Sequence, residues 1–319
     1  MRSTDKRSSG NGTLAGGDDD DDTIGTCFGF AIRSSLPFHY LRQGDGEPMH
    51  ISASSSTGVG PNDELVIAWK GTPDLPDEGR LYRDGSQFRI LTPPLGWFLV
   101  DPEKRRIVVP HEANTVLREE RLWGVPAILC FLARGDLQLH AAAVQVGSEA
   151  IIMVAPRAFG KTTLAAAFVS KGYRLLSEDV TCVRSRSAPC IIPGPAVLRI
   201  RPDVADRLEI RNASPVGEPD DRIHFAVDAA ARGDCRPVPL RAILLLREIR
   251  NGFQLEPVKP MDAVRDLWPQ SFNLPTPQDR ARCFAAVVDL ARSVPVKNLH
   301  RPFRFEDLPA TVEFVVDSL

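Results

Sequence analysis

Short apolar runs separated by glycine, proline and aspartate fill the first third of the chain. Runs at 27–32, 65–69, 88–91, 97–100 and 107–109 are too short for helices, and the turn-forming pairs Asp84-Gly85 and Asp101-Pro102 fall between them. That length and spacing predict strands. The pattern changes near Leu122. Residues 122–133 are apolar enough for a helix that leads into a strand at 137–146, and Gly147-Ser148 marks a turn before a second strand at 150–154. A loop over 155–160 follows, then a helix from Lys161 to Lys171 stopped by Gly172, then a short strand at 173–176. Strand, loop, helix and strand in that order predict the α/β mononucleotide-binding unit. Further along, 180–183, 196–200, 223–227 and 242–246 read as strands. A short helix starts at 202–208, and helices are predicted over 261–268, 277–294 and 309–319. The pattern divides the chain into a polar tail (1–22), a β-rich N-terminal domain (23–121) and an α/β domain (122–319).

Composition narrows the picture. The chain has 319 residues, 43% hydrophobic and 25% charged, which is ordinary for a globular protein. A net charge of -2 argues against a dedicated nucleic-acid binder. No apolar run is long enough to span a bilayer, so no membrane partner is expected. The tail is rich in Ser, Gly and Asp and ends in the run Asp18–Asp22. It predicts disorder, with an acidic docking arm as the functional alternative. It also lacks a signal-peptide stretch. The six cysteines are scattered without a C-x-x-C pair, which reads as reduced thiols and makes the cytoplasm the expected location.

The candidate chemistry starts at Ala155-Pro156-Arg157-Ala158-Phe159-Gly160-Lys161-Thr162-Thr163. The second half matches the phosphate-binding loop G-x-x-x-x-G-K-[ST]. Gly160 lets backbone approach a phosphate, Lys161 offers an ammonium, and Thr162 offers a hydroxyl to Mg²⁺. The helix start aims free N–H groups at the anion. The first half departs from the pattern. Ala155 replaces the first glycine, Ala158 stands where related loops often carry another, and either methyl resists a positive φ. Upstream, His140 ends the run Leu137-Gln138-Leu139. Downstream, Glu178-Asp179 follows the strand at 173–176. Residues at such strand ends converge on a ligand crevice, where paired carboxylates hold Mg²⁺ or take a hydroxyl proton. Arg199 and Arg201 suit either a phosphate contact or a salt-bridged role.

These segments resemble the HPr kinase/phosphorylase family. The likeness is carried by Leu139-His140-Ala141-Ala142-Ala143, by Gly160-Lys161-Thr162-Thr163-Leu164-Ala165, and by Gly172-Tyr173-Arg174-Leu175-Leu176-Ser177-Glu178-Asp179-Val180. Phe28-Gly29-Phe30, Ser34-Ser35-Leu36-Pro37 and Pro193-Gly194-Pro195-Ala196-Val197-Leu198-Arg199-Ile200 look like the diverged members found with peptide natural-product clusters. Those include kinases acting on lasso peptide precursors. The resemblance implies a P-loop kinase domain of the HPr kinase/phosphoenolpyruvate carboxykinase type. It also implies transfer of a phosphoryl group from ATP, or another nucleoside triphosphate, to a serine of a peptide or protein. By position, Lys161 and Thr162 would contact the β- and γ-phosphates and Mg²⁺. Glu178 would be the general base, Asp179 would support the metal, and His140 would tune the acidic pair. Two positions depart from true HPr kinases: Glu178 stands for an aspartate, and Thr163 stands where those enzymes have glutamate. The HPr-recognition segment has no match, so HPr is not the expected acceptor. True HPr kinases are hexamers, and a homo-oligomer is one expectation here. The alanines at 155 and 158 motivate the alternative, a catalytically degenerate nucleotide-binding regulator or scaffold.

Overall fold

The computed structural model describes residues 22–55, 58–69, 79–111, 114–185 and 188–319. The predicted polar tail, apart from Asp22, lies outside these residues. The eight strands described before residue 111 are β1 (Thr23–Cys27), β2 (Phe30–Arg33), β3 (Glu47–Ser54), β4 (Glu64–Trp69), β5 (Gly79–Asp84), β6 (Gln87–Thr92), β7 (Gly96–Asp101) and β8 (Arg106–Pro110). They form one sheet in the order β1-β2-β3-β8-β7-β6-β5-β4. Two helices, α1 (Thr115–Leu122) and α2 (Val125–Ala133), pack on it through Val116, Leu122, Ile128, Leu129 and Phe131.

Two sequence expectations change here. The run at 27–32 is not one strand. Phe28 and Gly29 have φ of 51° and 75° and turn the chain between Cys27 and Phe30. Positive φ at both central residues is what a tight hairpin needs. Phe28 bears it while fully buried against Trp123 and Phe131, and its N–H is held by the Pro193 carbonyl at 2.8 Å. The helix expected over 122–133 is α2, starting at Val125, and Leu122 ends a separate helix, α1. Asn114 Oδ1 accepts from Val116 N and Leu117 N and starts α1 early, and Gly124 breaks the chain before α2. The expected boundary at 121/122 therefore falls within the last turn of α1.

The second sheet begins with β9 (Leu137–Val146) and β10 (Glu149–Val154), followed by α3 (Lys161–Ser170), β11 (Arg174–Ser177), β12 (Val180–Arg184) and β13 (Cys190–Ile192). A small three-stranded sheet of β14 (Val197–Ile200), β15 (Ala213–Gly217) and β16 (Ile223–Val227) then branches off. Two one-turn helices, α4 (Pro202–Ala205) and α5 (Ala229–Arg232), accompany it. The chain returns through β17 (Val238–Glu248), β18 (Gln254–Pro257), α6 (Pro260–Leu267), α7 (Pro277–Ser293), β19 (Val296–Arg301) and α8 (Leu308–Ser318).

β10 is parallel to β17, and β17 is parallel to β19, so the C-terminal ends of three strands reach one edge of the sheet. β9 flanks β10 antiparallel on its other side. β10 is buried on both faces, which accounts for its unbroken apolar run Ala150–Val154. α6 and α7 cover one face through Val264, Leu267, Val287 and Leu290. α3 and α8 cover the other through Leu164, Phe168, Val312 and Val315. The protein is therefore mixed α/β. Among the described residues no helix is long and apolar enough to cross a membrane.

Candidate functional site

The loop after β10 leads into the start of α3, whose first N–H groups carry no side-chain cap. Ala155 closes the strand, 3% exposed, and Pro156, Arg157, Ala158 and Phe159 run outward to solvent. Ala158 and Gly160 take left-handed backbone, φ 68° and 76°. Ala155 does not, so of the two alanines only Ala158 carries backbone strain, of about 1–2 kcal/mol. The first helical bond of α3 runs from Leu164 N to Gly160 O, 2.9 Å. The amides of Lys161, Thr162 and Thr163 precede it, and no side chain caps them. Lys161 is buried and folds back over the loop, donating from Nζ to the carbonyls of Ala155 (2.7 Å) and Pro156 (3.3 Å). Burial lowers its pKa, opposed by the charges of Asp179 and Glu178.

Beside the loop, Glu178-Asp179 forms the corner between β11 and β12. Both strands pair with β9, at Ser177↔Ala143 and Val180↔His140, so the corner lies against His140 and the alanines after it. Asp179 turns the corner at φ 67°. Thr162 Oγ1 donates to Glu178 Oε1 at 2.6 Å, which joins the loop to the acidic pair. The other oxygen, Glu178 Oε2, accepts from Arg199 Nε at 2.8 Å. Asp179 is held by His140 Nδ1 on Oδ1 (2.9 Å) and by Arg199 Nη2 on Oδ2 (2.8 Å). The third arm of the guanidinium, Arg199 Nη1, reaches Glu120 Oε1 in α1 at 2.9 Å. One arginine of β14 thus ties α1 to the β11–β12 corner through three carboxylates.

The charges account for one another. Burial would raise the Asp179 carboxyl, but Arg199 and His140 outweigh it and hold it well below the usual carboxylate range. Burial would lower Arg199, and Glu178, Asp179 and Glu120 raise it well above its ordinary value. Glu120 is lowered in the same way: burial opposes ionisation, and Arg199 and Arg121 prevail. His224 Nε2 stands 3.5 Å from Glu120 Oε2. Burial lowers His224 to about 4, so near neutrality it is uncharged and the contact is not an ion pair. Its Nδ1 meets the Tyr40 hydroxyl at 2.9 Å.

His140, Lys161, Thr162, Glu178 and Asp179 therefore meet around the N-terminus of α3, and Arg199 links the acidic pair into one network. Thr162 is joined to Glu178, while Asp179 is joined to His140 and Arg199. Arg199, open between phosphate and salt bridge, is salt-bridged; Arg201 pairs with Asp203, at an exposed 3.5 Å. Glu120, His224 and Tyr40 went unnoticed. Glu120 sits in a charged run, Arg118-Glu119-Glu120-Arg121, that looks like any solvated helix face. The signal available for Arg199 was its position inside an apolar strand. For Mg²⁺, expected on Thr162 and Asp179, the Thr162 hydroxyl is a hard oxygen donor of the kind that ion takes beside substrate phosphates, while both Asp179 oxygens are held by His140 and Arg199. No cluster of three or more His, Cys, Asp or Glu suited to a metal occurs among the described residues. The donor set thus fits an ion shared with a bound polyphosphate, not one caged by protein alone.

No protein-family model matches the chain, and no curated protein matches it. Among solved structures it is similar to the Hpr(Ser) kinase/phosphatase from Coxiella burnetii, at 11% sequence identity and a TM-score of 0.31, over 57% of this chain and 94% of that one. An overlap this loose leaves the chemistry to be argued from the residues of this chain.

Proposed function

We propose that this chain is an ATP- and Mg²⁺-dependent kinase that transfers a phosphoryl group to a serine hydroxyl of a peptide or protein, such as a natural-product (lasso peptide) precursor. The observation that carries this reading is the 2.6 Å bond between Thr162 and Glu178, which sets a buried carboxylate directly against the phosphate loop. The motif resemblance around His140, Lys161 and Glu178-Asp179 supports the choice of serine as acceptor.

In this reading the free amides of Lys161, Thr162 and Thr163 and the helix dipole receive the phosphates. Lys161 Nζ exchanges two loop carbonyls for phosphate oxygens. Glu178 accepts the serine proton as the serine oxygen bonds to the terminal phosphorus and the bridging P–O bond breaks, leaving the nucleoside diphosphate. Bound Mg²⁺ supplies charge neutralisation on the transferring group. Asp179, fixed by His140 and Arg199, holds the corner that aims Glu178. Incubation with Mg²⁺, ATP and a serine-bearing precursor peptide is expected to give a product heavier by one phosphoryl group. Lys161→Ala and Glu178→Gln are expected to lose it, and full activity in both would overturn the assignment.

One observation favours a second reading, a nucleotide-binding regulator or scaffold without transfer. Both oxygens of Glu178 are already occupied, by Thr162 and Arg199. Nucleotide would then raise the melting temperature with no phosphopeptide formed from any candidate acceptor.

A further inference from the structure

Arg301 is the least satisfied buried cation beside the loop. It is 2% exposed, and its Nε has no hydrogen-bond partner among the described residues. Nη1 donates to the Pro302 carbonyl at 3.2 Å, and the guanidinium lies 4.5 Å from the centroid of the Phe303 ring. Burial lowers its pKa to about 10, with Glu248 opposing. A carbonyl and a ring face are thin compensation for a buried charge that carries five donors.

Its direction follows from register. Val154, the end of β10, is level with Leu245, which is level with Asn298, so Arg301 stands three residues beyond the end of β10. Leu299 packs on α3, and Arg301, two residues on, shares that face. It therefore projects over the N-terminus of α3. A Cβ on Gly160 would stand only 2.8 Å from Arg301 Nη2. Phe159, at the loop tip, meets Phe303 edge-on at 5.6 Å and continues the same wall outward. β9, β11 and β12, with Glu178 and Asp179, lie on the opposite side of β10.

We propose that Arg301 is a binding residue for the inner phosphates of the nucleotide, reaching them from the flank of the loop opposite Glu178. This rests on the kinase reading above. If Glu178 takes the acceptor's proton beside the terminal phosphoryl group, the rest of the nucleotide points away from it, towards β19. There the unpaired Nε–H and Nη2 offer a planar donor fork, the geometry that suits phosphate oxygens.

Calorimetric titration of the full chain with ADP and with ATP, each with Mg²⁺, tests it. Arg301→Gln is expected to weaken both nucleotides alike, on the order of ten- to a hundredfold. Arg301→Lys, which keeps the charge but loses the fork, should fall between the two. Wild-type ADP affinity in Arg301→Gln, with or without a lowered melting temperature, would overturn the assignment and reduce Arg301 to a brace for Pro302 and Phe303. If Arg301→Gln does not fold, Arg301→Lys decides. Several-fold weaker ADP binding at an unchanged melting temperature supports the proposal, and unchanged binding overturns it. A wild-type chain that takes up neither nucleotide defeats the kinase reading itself, an outcome distinct from wild-type binding that survives the loss of Arg301.

Discussion

The two flanks of the loop between β10 and α3 solve opposite electrostatic problems. On the β9 side, each carboxylate oxygen of Glu178 and Asp179 has a partner, and Arg199 spends all three of its arms on Glu178, Asp179 and Glu120. On the β19 side, Arg301 is more deeply buried than Arg199 but holds one carbonyl and a ring face. A saturated network fixes geometry, because moving any member leaves another buried charge bare. An under-partnered cation fixes little and gains most from an incoming anion. In the proposed kinase the first flank would serve the chemical step, where a base must stand still, and the second the capture of a ligand.

The largest expected effects lie in the chemistry. Lys161→Ala and Glu178→Gln should each reduce transfer on the order of a thousandfold. Measured side by side, only Lys161→Ala should also weaken ADP. Equal loss of ADP binding in Glu178→Gln would erase the distinction between the flanks. Next comes Arg199→Met, which strands buried carboxylates and should cost about 3–5 kcal/mol of stability, read from the urea midpoint. A loss below about 1 kcal/mol would mean that the acidic flank relaxes into water and is not a rigid frame.

Glu119 sharpens the contrast between a carboxylate paired with a cation and one that is not. It is buried and accepts from the backbone N–H groups of His39 and Tyr40 and from the Trp123 indole, and burial raises it from 4.5 to about 7. A raised carboxyl binds more protons folded than unfolded, so its contribution is full below pH 4.5 and is lost as pH rises through 7. The loss is about 3 kcal/mol. Thermal melts across that window should decline in the wild type and flatten in Glu119→Gln. Asp179 is held low and acts with the opposite sign: its contribution stands above pH 3.8 and falls away in stronger acid. The smallest expected effect is that of Gly160→Ala, about 1–2 kcal/mol from the left-handed φ. It should also weaken ADP binding, since the new methyl displaces Arg301. Loss of stability without loss of ADP affinity would separate the loop from the β19 flank.

The acidic flank was largely legible in the sequence. Gly160-Lys161-Thr162 between a strand and a helix is a local pattern, and Glu178-Asp179 is a local corner, so both could be found from short windows. The apolar run Ala150–Val154 located the central strand for the same reason. The β19 flank was not legible. Val296-Lys297-Asn298-Leu299-His300-Arg301 has too few apolar residues to predict a strand, because the sheet surrounds only Val296, Leu299 and Arg301 closely enough to bury them. Phe28 was misread as mid-strand because its positive φ is imposed by the pocket between Trp123 and Phe131, which no local propensity reports.

By itself the sequence determined the elements whose periodicity or turn chemistry is local: the loop, α3, the acidic corner and the apolar centre of the second sheet. Only the tertiary structure decided which charges face each other. Arg199 meets Glu120 across 79 residues of chain, and Arg301 reaches Gly160 only through the register of β10, β17 and β19. The physical reason is that a charge's partners depend on its position in space. Register and burial set that position, and neither is encoded within a window of a few residues.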